Sequence, residues 1–217
     1  MTVDLAPRFD ATILKPEALS AEVHKTATEA ARAGCHGVVA APVWTARLAT
    51  MLRGSGVRVI SAVSYPNGGS KSTLKAIEAT STIKDGADEI EVSAHLAPVL
   101  SFDLDAARGE LLEIVRAARS TRRDVVIATV YDLAMIAALD AERLERIVET
   151  ACRATRESGC DGIVLPPAFV ALAKRFGDAL TIKAAPVTDR AIALAALRDG
   201  ADRVGGSTAV LAEGSAS

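Results

Sequence analysis

One lysine stands where a lysine is costly. Lys183 lies inside the apolar run Leu180-Thr181-Ile182-Lys183-Ala184-Ala185, and an ammonium group in such a place needs a partner. Desolvation lowers the pKa of a lysine, which makes Lys183 a candidate nucleophile or proton carrier. A lysine snorkelling past a strand end would have the same look. Glu91, in Ile90-Glu91-Val92, is placed in the same way. It could meet Lys183 across a shared interior, either to move protons or simply to bury an ion pair. Asp10, at the mouth of the first candidate strand, would complete a carboxylate–amine–carboxylate cluster suited to proton transfer. A different chemistry is written in Gly205-Gly206-Ser207-Thr208, a glycine turn leading into a short helix. Its backbone N–H groups could hold a phosphate, although a plain turn would read alike. Pro66-Asn67-Gly68-Gly69-Ser70-Lys71-Ser72 resembles a P-loop only weakly, because Ser70 occupies the position where a glycine must precede the lysine.

These residues need a scaffold, and a repetition within the chain points to one. Ala33-Gly34-Cys35-His36-Gly37-Val38-Val39 returns in the second half as Ser158-Gly159-Cys160-Asp161-Gly162-Ile163-Val164. Lys84-Asp85-Gly86-Ala87-Asp88-Glu89-Ile90 returns as Arg198-Asp199-Gly200-Ala201-Asp202-Arg203-Val204. Each unit reads as a helix end, a glycine turn and a short apolar strand, so the chain reads as two similar halves closed into one body. Strands are expected at 10–14, 37–41, 58–63, 89–93, 124–130, 162–165, 180–184 and 202–205, with amphipathic helices between them. Ser20, Ser70 and Asp140 are candidate helix caps, Asp189 lies near another helix start, and several helices end at glycine. Unalternating apolar strands separated by helices imply a parallel sheet covered on both faces.

The expected fold is therefore α/β, a single (β/α)8 TIM barrel over residues 1–213 with an abbreviated last helix and a flexible tail at 214–217. An open doubly wound sheet would want a Gly-x-Gly-x-x-Gly turn after the first strand, and 10–16 contains no glycine. In a barrel, chemistry sits at the C-terminal ends of the strands. That rule keeps Lys183, Glu91, Asp10 and the 205–208 turn, and adds Thr12, Lys15, Ser61, Ser64, Tyr65, Asn67, Ser93, His95, Thr129, Tyr131 and Asp132 as eligible polar positions. It sends His36 and Asp161 to the opposite, structural end.

Composition narrows the function classes. Half of the 217 residues are hydrophobic but only 3 % are aromatic, so the core must be built from Ala, Val, Leu and Ile. The net charge of −2 with no basic block argues against nucleic acid, and the aromatic scarcity argues against base stacking. No apolar run is long enough for a membrane span and the first ten residues lack a signal-peptide layout. Three cysteines fit a reducing cytoplasm. The three histidines are scattered, so neither a metal nor a cofactor is expected.

With these residues in view, the chain resembles the deoxyribose-phosphate aldolase family along nearly its whole length. The resemblance is carried by Asp10-Ala11-Thr12-Ile13-Leu14-Lys15-Pro16, by 57–68, by Asp85-Gly86-Ala87-Asp88-Glu89-Ile90-Glu91-Val92, by Thr181-Ile182-Lys183-Ala184 and by Gly200-Ala201-Asp202-Arg203-Val204-Gly205-Gly206-Ser207. It implies a (β/α)8 class I aldolase that cleaves 2-deoxyribose 5-phosphate through a lysine Schiff base without metal. It also implies that Lys183 is the family's second lysine, Glu91 its relay aspartate, Asp10 its strand 1 aspartate, and Ser207 and Thr208 its phosphate-contacting pair.

The Schiff-base lysine itself should stand on strand 6, where this chain has Val164 followed by Leu165-Pro166-Pro167. Ala185-Pro186-Val187 replaces a Gly-Gly turn, and Ala128 replaces a glutamate. Three readings follow. One is an aldolase-like lyase for a small aldehyde or sugar-phosphate-type substrate that uses Lys183 as its Schiff-base residue, with weak or absent cleavage of deoxyribose 5-phosphate. The second is a repurposed acid–base enzyme that enolises, dehydrates or isomerises a carbonyl compound through Glu91, Lys183 and Asp10. The third is a non-catalytic ligand- or partner-binding relative, which a pocket plugged by Leu165, Pro166 and Pro186 would favour. A homodimer fits such barrels, though no stretch marks an interface.

Overall fold

The computed structural model describes residues 4–133 and 139–212. Eight parallel strands close into a barrel in sequence order, each hydrogen-bonded to the next and the eighth to the first. They are β1 (Phe9–Ile13), β2 (Gly37–Ala40), β3 (Arg58–Val63), β4 (Glu89–Ser93), β5 (Val126–Val130), β6 (Gly162–Leu165), β7 (Thr181–Val187) and β8 (Arg203–Gly206). The helices are α1 (Ser20–Ala33), α2 (Thr45–Met51), α3 (Ser72–Lys84), α4 (Leu96–Leu100), α5 (Leu104–Thr121), α6 (Ala141–Glu157), α7 (Val170–Phe176), α8 (Arg190–Arg198) and α9 (Ala209–Ala212). The (β/α)8 barrel and its short last helix are as expected. The expected tail at 214–217 lies outside the described residues.

The local chemistry of the elements accounts for their ends. Carboxylates at Asp103, Asp140 and Asp189 accept from Ala106, Arg143 and Ile192 N–H and so satisfy orphan donors at the starts of α5, α6 and α8. Ser20 and Ser70 do not serve as caps. Glu22 reaches back to accept from Leu19 N–H (2.7 Å) at the start of α1, and α3 begins after Lys71. Strand β7 runs three residues further than expected. Its ladder with β8 slips between Ala184 and Val187, where Pro186 has no N–H to donate.

Three aspartates from the repeated segments lock the strand starts. Val59, Ile127 and Ile182 donate their N–H groups to Asp88 Oδ2 (2.9 Å), Asp161 Oδ2 (2.8 Å) and Asp202 Oδ2 (2.8 Å). Each aspartate also donates its own N–H back to the carbonyl of the same residue. The aspartate before β4, β6 or β8 thereby ties that strand's entry to the preceding one.

Strand alternation and register stack the inward residues in tiers. Gly37, Glu89, Gly162 and Arg203 form the tier at the N-terminal end, followed by Asp10, Ile60, Ala128 and Lys183. Val39, Glu91, Val164 and Gly205 come next, and Thr12, Ala62, Val130 and Ala185 lie above them. The outward faces pack against the helices through Val, Ile, Leu and Ala, as the lack of aromatics requires. Glycine is needed where the lower tiers hold large charged groups. A Cβ on Gly205 would lie 2.7 Å from Lys183 Cε, and one on Gly37 would lie 2.5 Å from the Ile60 side chain and 3.1 Å from Asp10 Oδ1.

Candidate active site

At the C-terminal end of the barrel a cavity of about 530 Å³ opens over the third tier. Lys183, Glu91, Val164 and Gly205 form its floor, while Thr12, Leu14, Ala62, Val130 and Ala185 form its walls. Tyr65, Asn67, Leu96 and Asp132 stand around them with Pro66, Pro166, Pro167 and Pro186. The cavity is open. Pro166 and Pro186 are part of its lining and Leu165 is buried in the helix-facing core, so the plug that would favour the third reading is not formed.

The three expected catalytic residues come together. Lys183 Nζ donates to Glu91 Oε1 at 2.6 Å and ion-pairs with Asp10 Oδ2 at 2.8 Å. All three are buried. The position of Asp10 differs from the expectation, however. It belongs to the second tier, beneath the cavity, because it is the second residue of β1 and pairs with Gly37 and Gly205. Asp10 thus supports Lys183 from below and does not line the cavity.

Below Lys183 the charges continue. Arg203 makes a bidentate pair with Glu89, Nη1 to Oε2 at 2.9 Å and Nη2 to Oε1 at 2.6 Å, and its Nη1 lies 3.4 Å from Asp10 Oδ2. His36 Nδ1 lies 2.7 Å from Asp10 Oδ1. Burial alone would raise the Asp10 carboxyl, but Lys183, His36 and Arg203 together hold it well below the usual carboxylate range. An ionised Asp10 can only accept, so its bond with His36 requires the hydrogen on Nδ1, a nitrogen that Arg203 Nη1 also approaches at 2.9 Å. Burial raises Glu91, with Lys183 opposing and Glu89 and Asp10 adding to the rise. Burial would lower Lys183, yet its two carboxylate partners outweigh that and raise it. At rest Lys183 is therefore an ammonium.

Other expectations divide. Ser61 faces the helices, where its hydroxyl accepts from Thr45 Oγ1 (3.0 Å), and Thr129 faces Thr155 on α6 (2.7 Å). Neither is in the cavity. Ser93 lines it, and its buried hydroxyl has no partner among the described residues. Asp161 is structural, as expected. His36, placed at the same structural end, nevertheless touches the cluster. Of the 205–208 turn, Gly205 alone is in the cavity lining; Gly206 pairs with Val187 in the barrel wall, Ser207 is exposed, and Thr208 Oγ1 donates to Glu29 on α1 (2.5 Å).

Sequence reasoning missed Lys75. It is fully buried on α3, donates to Ser93 carbonyl oxygen (2.7 Å) and pairs with Glu110, bracing the end of β4 from outside. Its signal was available, since Lys75 shares a helical face with Ala79, Thr82 and Ile83.

The chain is 34% identical to a deoxyribose-phosphate aldolase of Mycolicibacterium paratuberculosis over 221 residues, which cover 95% of each chain. The chain belongs to the deoxyribose-phosphate aldolase family. A second member, from Thermus thermophilus, is 31% identical over 96% of this chain and 94% of its own. Among solved structures, the tetrameric deoxyribose phosphate aldolase of Aeropyrum pernix superposes with a TM-score of 0.80 at 26% identity, covering 94% of this chain and 87% of that one. An aldolase named QR15 superposes at 0.81 with 23% identity over 96% and 94%. No protein-family model matches the chain. The fold and the aldolase-type lyase class of this family are thus those of the chain. Among the described residues no helix is long and apolar enough to cross a membrane.

Proposed function

We propose that the chain is a carbon–carbon lyase in which Lys183 is the amine that meets the carbonyl and Glu91 is its proton partner. The observation that carries this reading is that Lys183 is, among the described residues, the one amine in the cavity lining and lies 2.6 Å from a carboxylate whose proton affinity burial raises. Val164 is the residue that β6 presents beside it, in register with Lys183, and a valine forms no imine. Cleavage of deoxyribose 5-phosphate is accordingly expected to be weak or absent.

Lys183 becomes nucleophilic by passing one proton to Glu91. The free amine adds to the substrate carbonyl carbon, one of its own protons passes to the carbonyl oxygen to make a hydroxyl, and Glu91 returns the first proton to that hydroxyl, which leaves as water. Glu91 then takes the proton of the β-hydroxyl while the carbon–carbon bond breaks, and its electrons collapse into the iminium to give an enamine. The same carboxyl protonates the enamine carbon, and hydrolysis restores Lys183. Asp10, beneath, keeps the amine aimed upward and is a positioning residue.

Borohydride reduction in the presence of acetaldehyde, followed by peptide mass spectrometry, tests this. An ethyl group on Lys183, absent from Lys183→Met and formed about 10²-fold more slowly in Glu91→Gln, is the expected result. One observation favours the second reading, in which no imine forms: Lys183 is held as an ammonium by two carboxylates. Proton exchange at the α-carbon of the aldehyde that needs Glu91, with no adduct on Lys183, would establish that alternative and discard the imine.

A further inference from the structure

Barrel enzymes commonly bind phosphate at the turns after β7 and β8, against the N-terminus of a short helix. In this chain both places already carry a negative group. At the start of α8, Asp189 Oδ1 accepts from Ile192 N–H at 2.8 Å, so a carboxylate occupies the position an anion would take. At the β8 turn, Thr208 donates its hydroxyl to Glu29 Oε2, so the side chain that could meet an anion is already engaged by a carboxylate, one whose charge Lys25 (3.8 Å from Oε1) partly offsets. Just before the first of these turns, Pro186 in β7 contributes no N–H. The cavity offers no replacement. Among the described residues Lys183 is the one basic residue in its lining, and Glu91 and Asp10 offset its charge. The remaining lining is dominated by aliphatic side chains and proline. A dianion entering here would lose its hydration without gaining a cation.

We propose that this site takes an unphosphorylated carbonyl compound, with the carbonyl at Lys183 and an uncharged chain against the aliphatic wall. The proposal rests on the reading of this cavity as the catalytic site, and it specifies the substrate class. Methyl NMR of the full chain tests it without requiring turnover. Val130, Val164 and Ala185 methyl signals are followed during titration with pentanal, glyceraldehyde, glyceraldehyde 3-phosphate and inorganic phosphate, in the native chain and in Lys183→Met. The expected result is that the two uncharged aldehydes shift these signals and that glyceraldehyde 3-phosphate binds at least tenfold more weakly than glyceraldehyde. Inorganic phosphate should leave the signals in place. In a Glu29→Gln, Asp189→Asn double variant, whose Asn retains the helix cap, affinity for glyceraldehyde 3-phosphate should rise several-fold. Equal or tighter binding of the phosphorylated aldehyde to the native chain overturns the proposal. So does the absence of any shift with the uncharged aldehydes. Because the shifts report occupancy, their pattern in Lys183→Met stands whether or not an imine forms, which the trapping experiment decides separately.

Discussion

The two halves of the barrel open β2 and β6 with nearly the same residues, Cys35-His36-Gly37 and Cys160-Asp161-Gly162, and send the differing residue in opposite directions. Asp161 turns outward. It accepts from Ile127 N–H, and its Oδ1 and Oδ2 accept from Arg119 Nη2 at 2.8 and 2.7 Å, so that it fastens β6 to β5 and α5. His36 keeps the equivalent backbone bond, to Phe9 carbonyl oxygen at 3.0 Å, but turns inward to Asp10. The reason is local. Phe9 N–H already donates to Ala6 carbonyl oxygen in the 3-10 turn before β1, so no carboxylate is needed at that place. The other repeated pair diverges in charge: Glu89 and Arg203 occupy matching positions in the two halves and face one another as a buried bidentate pair. Divergence between the halves has supplied the charged floor on which Lys183 stands.

The largest test of this comparison breaks that pair. Glu89→Gln leaves the Arg203 guanidinium short of its main counter-charge and should cost about 3–5 kcal/mol of stability in urea unfolding. A Glu89→Leu, Arg203→Met double variant should recover much of the loss if the pair matters through its charges. Next, Asp10→Asn should cost about 3 kcal/mol at neutral pH by removing one of two counter-ions from buried Lys183. The sign of its pH dependence is fixed. The folded Asp10 carboxyl lies below its unfolded value of about 3.9, so its contribution is complete above that value and fades as pH falls further. Unfolding curves of Asp10→Asn and the native chain should therefore run parallel above about pH 5 and converge in more acid solution.

Smaller effects sharpen the contrast between the two copies. His36→Phe removes a donor to the Asp10 carboxylate and should cost about 2 kcal/mol in the same unfolding measurement. It should not prevent adduct formation at Lys183. Asp161→Asn retains an acceptor for Ile127 N–H and loses a part-exposed ion pair with Arg119, so a loss of about 1 kcal/mol is expected with no change in the site. If the Asp161 variant disturbed Lys183 as much as the His36 variant did, the division between an inward and an outward copy would be wrong.

The barrel was legible because its signals are periodic and local: apolar runs, helix-ending glycines and two repeated segments. Lys183 and Glu91 were legible for the opposite reason, as charges interrupting strands that should be apolar. What escaped depends on register. A shift of one residue turns a side chain from the interior to the helix layer, and this is why Ser61 and Thr129 read as eligible for the site although they face out. Height within the barrel is equally non-local. Asp10 sits below the cavity because β1 is staggered against β8, which no residue near Asp10 announces. His36 was assigned to the structural end, and only its spatial neighbours make it part of the charged cluster.

Cys35 and Cys160 are counterparts in the repeat, each buried at the foot of its own half, and burial pushes their thiols to about 11 and about 12. Neither reacts readily while the fold is closed. Alkylation rates at the two sulfurs, read separately by mass spectrometry, would therefore clock how often each half breathes open. The molecule carries a matched set of built-in timers for asking which of its ancestral-looking segments lets go first.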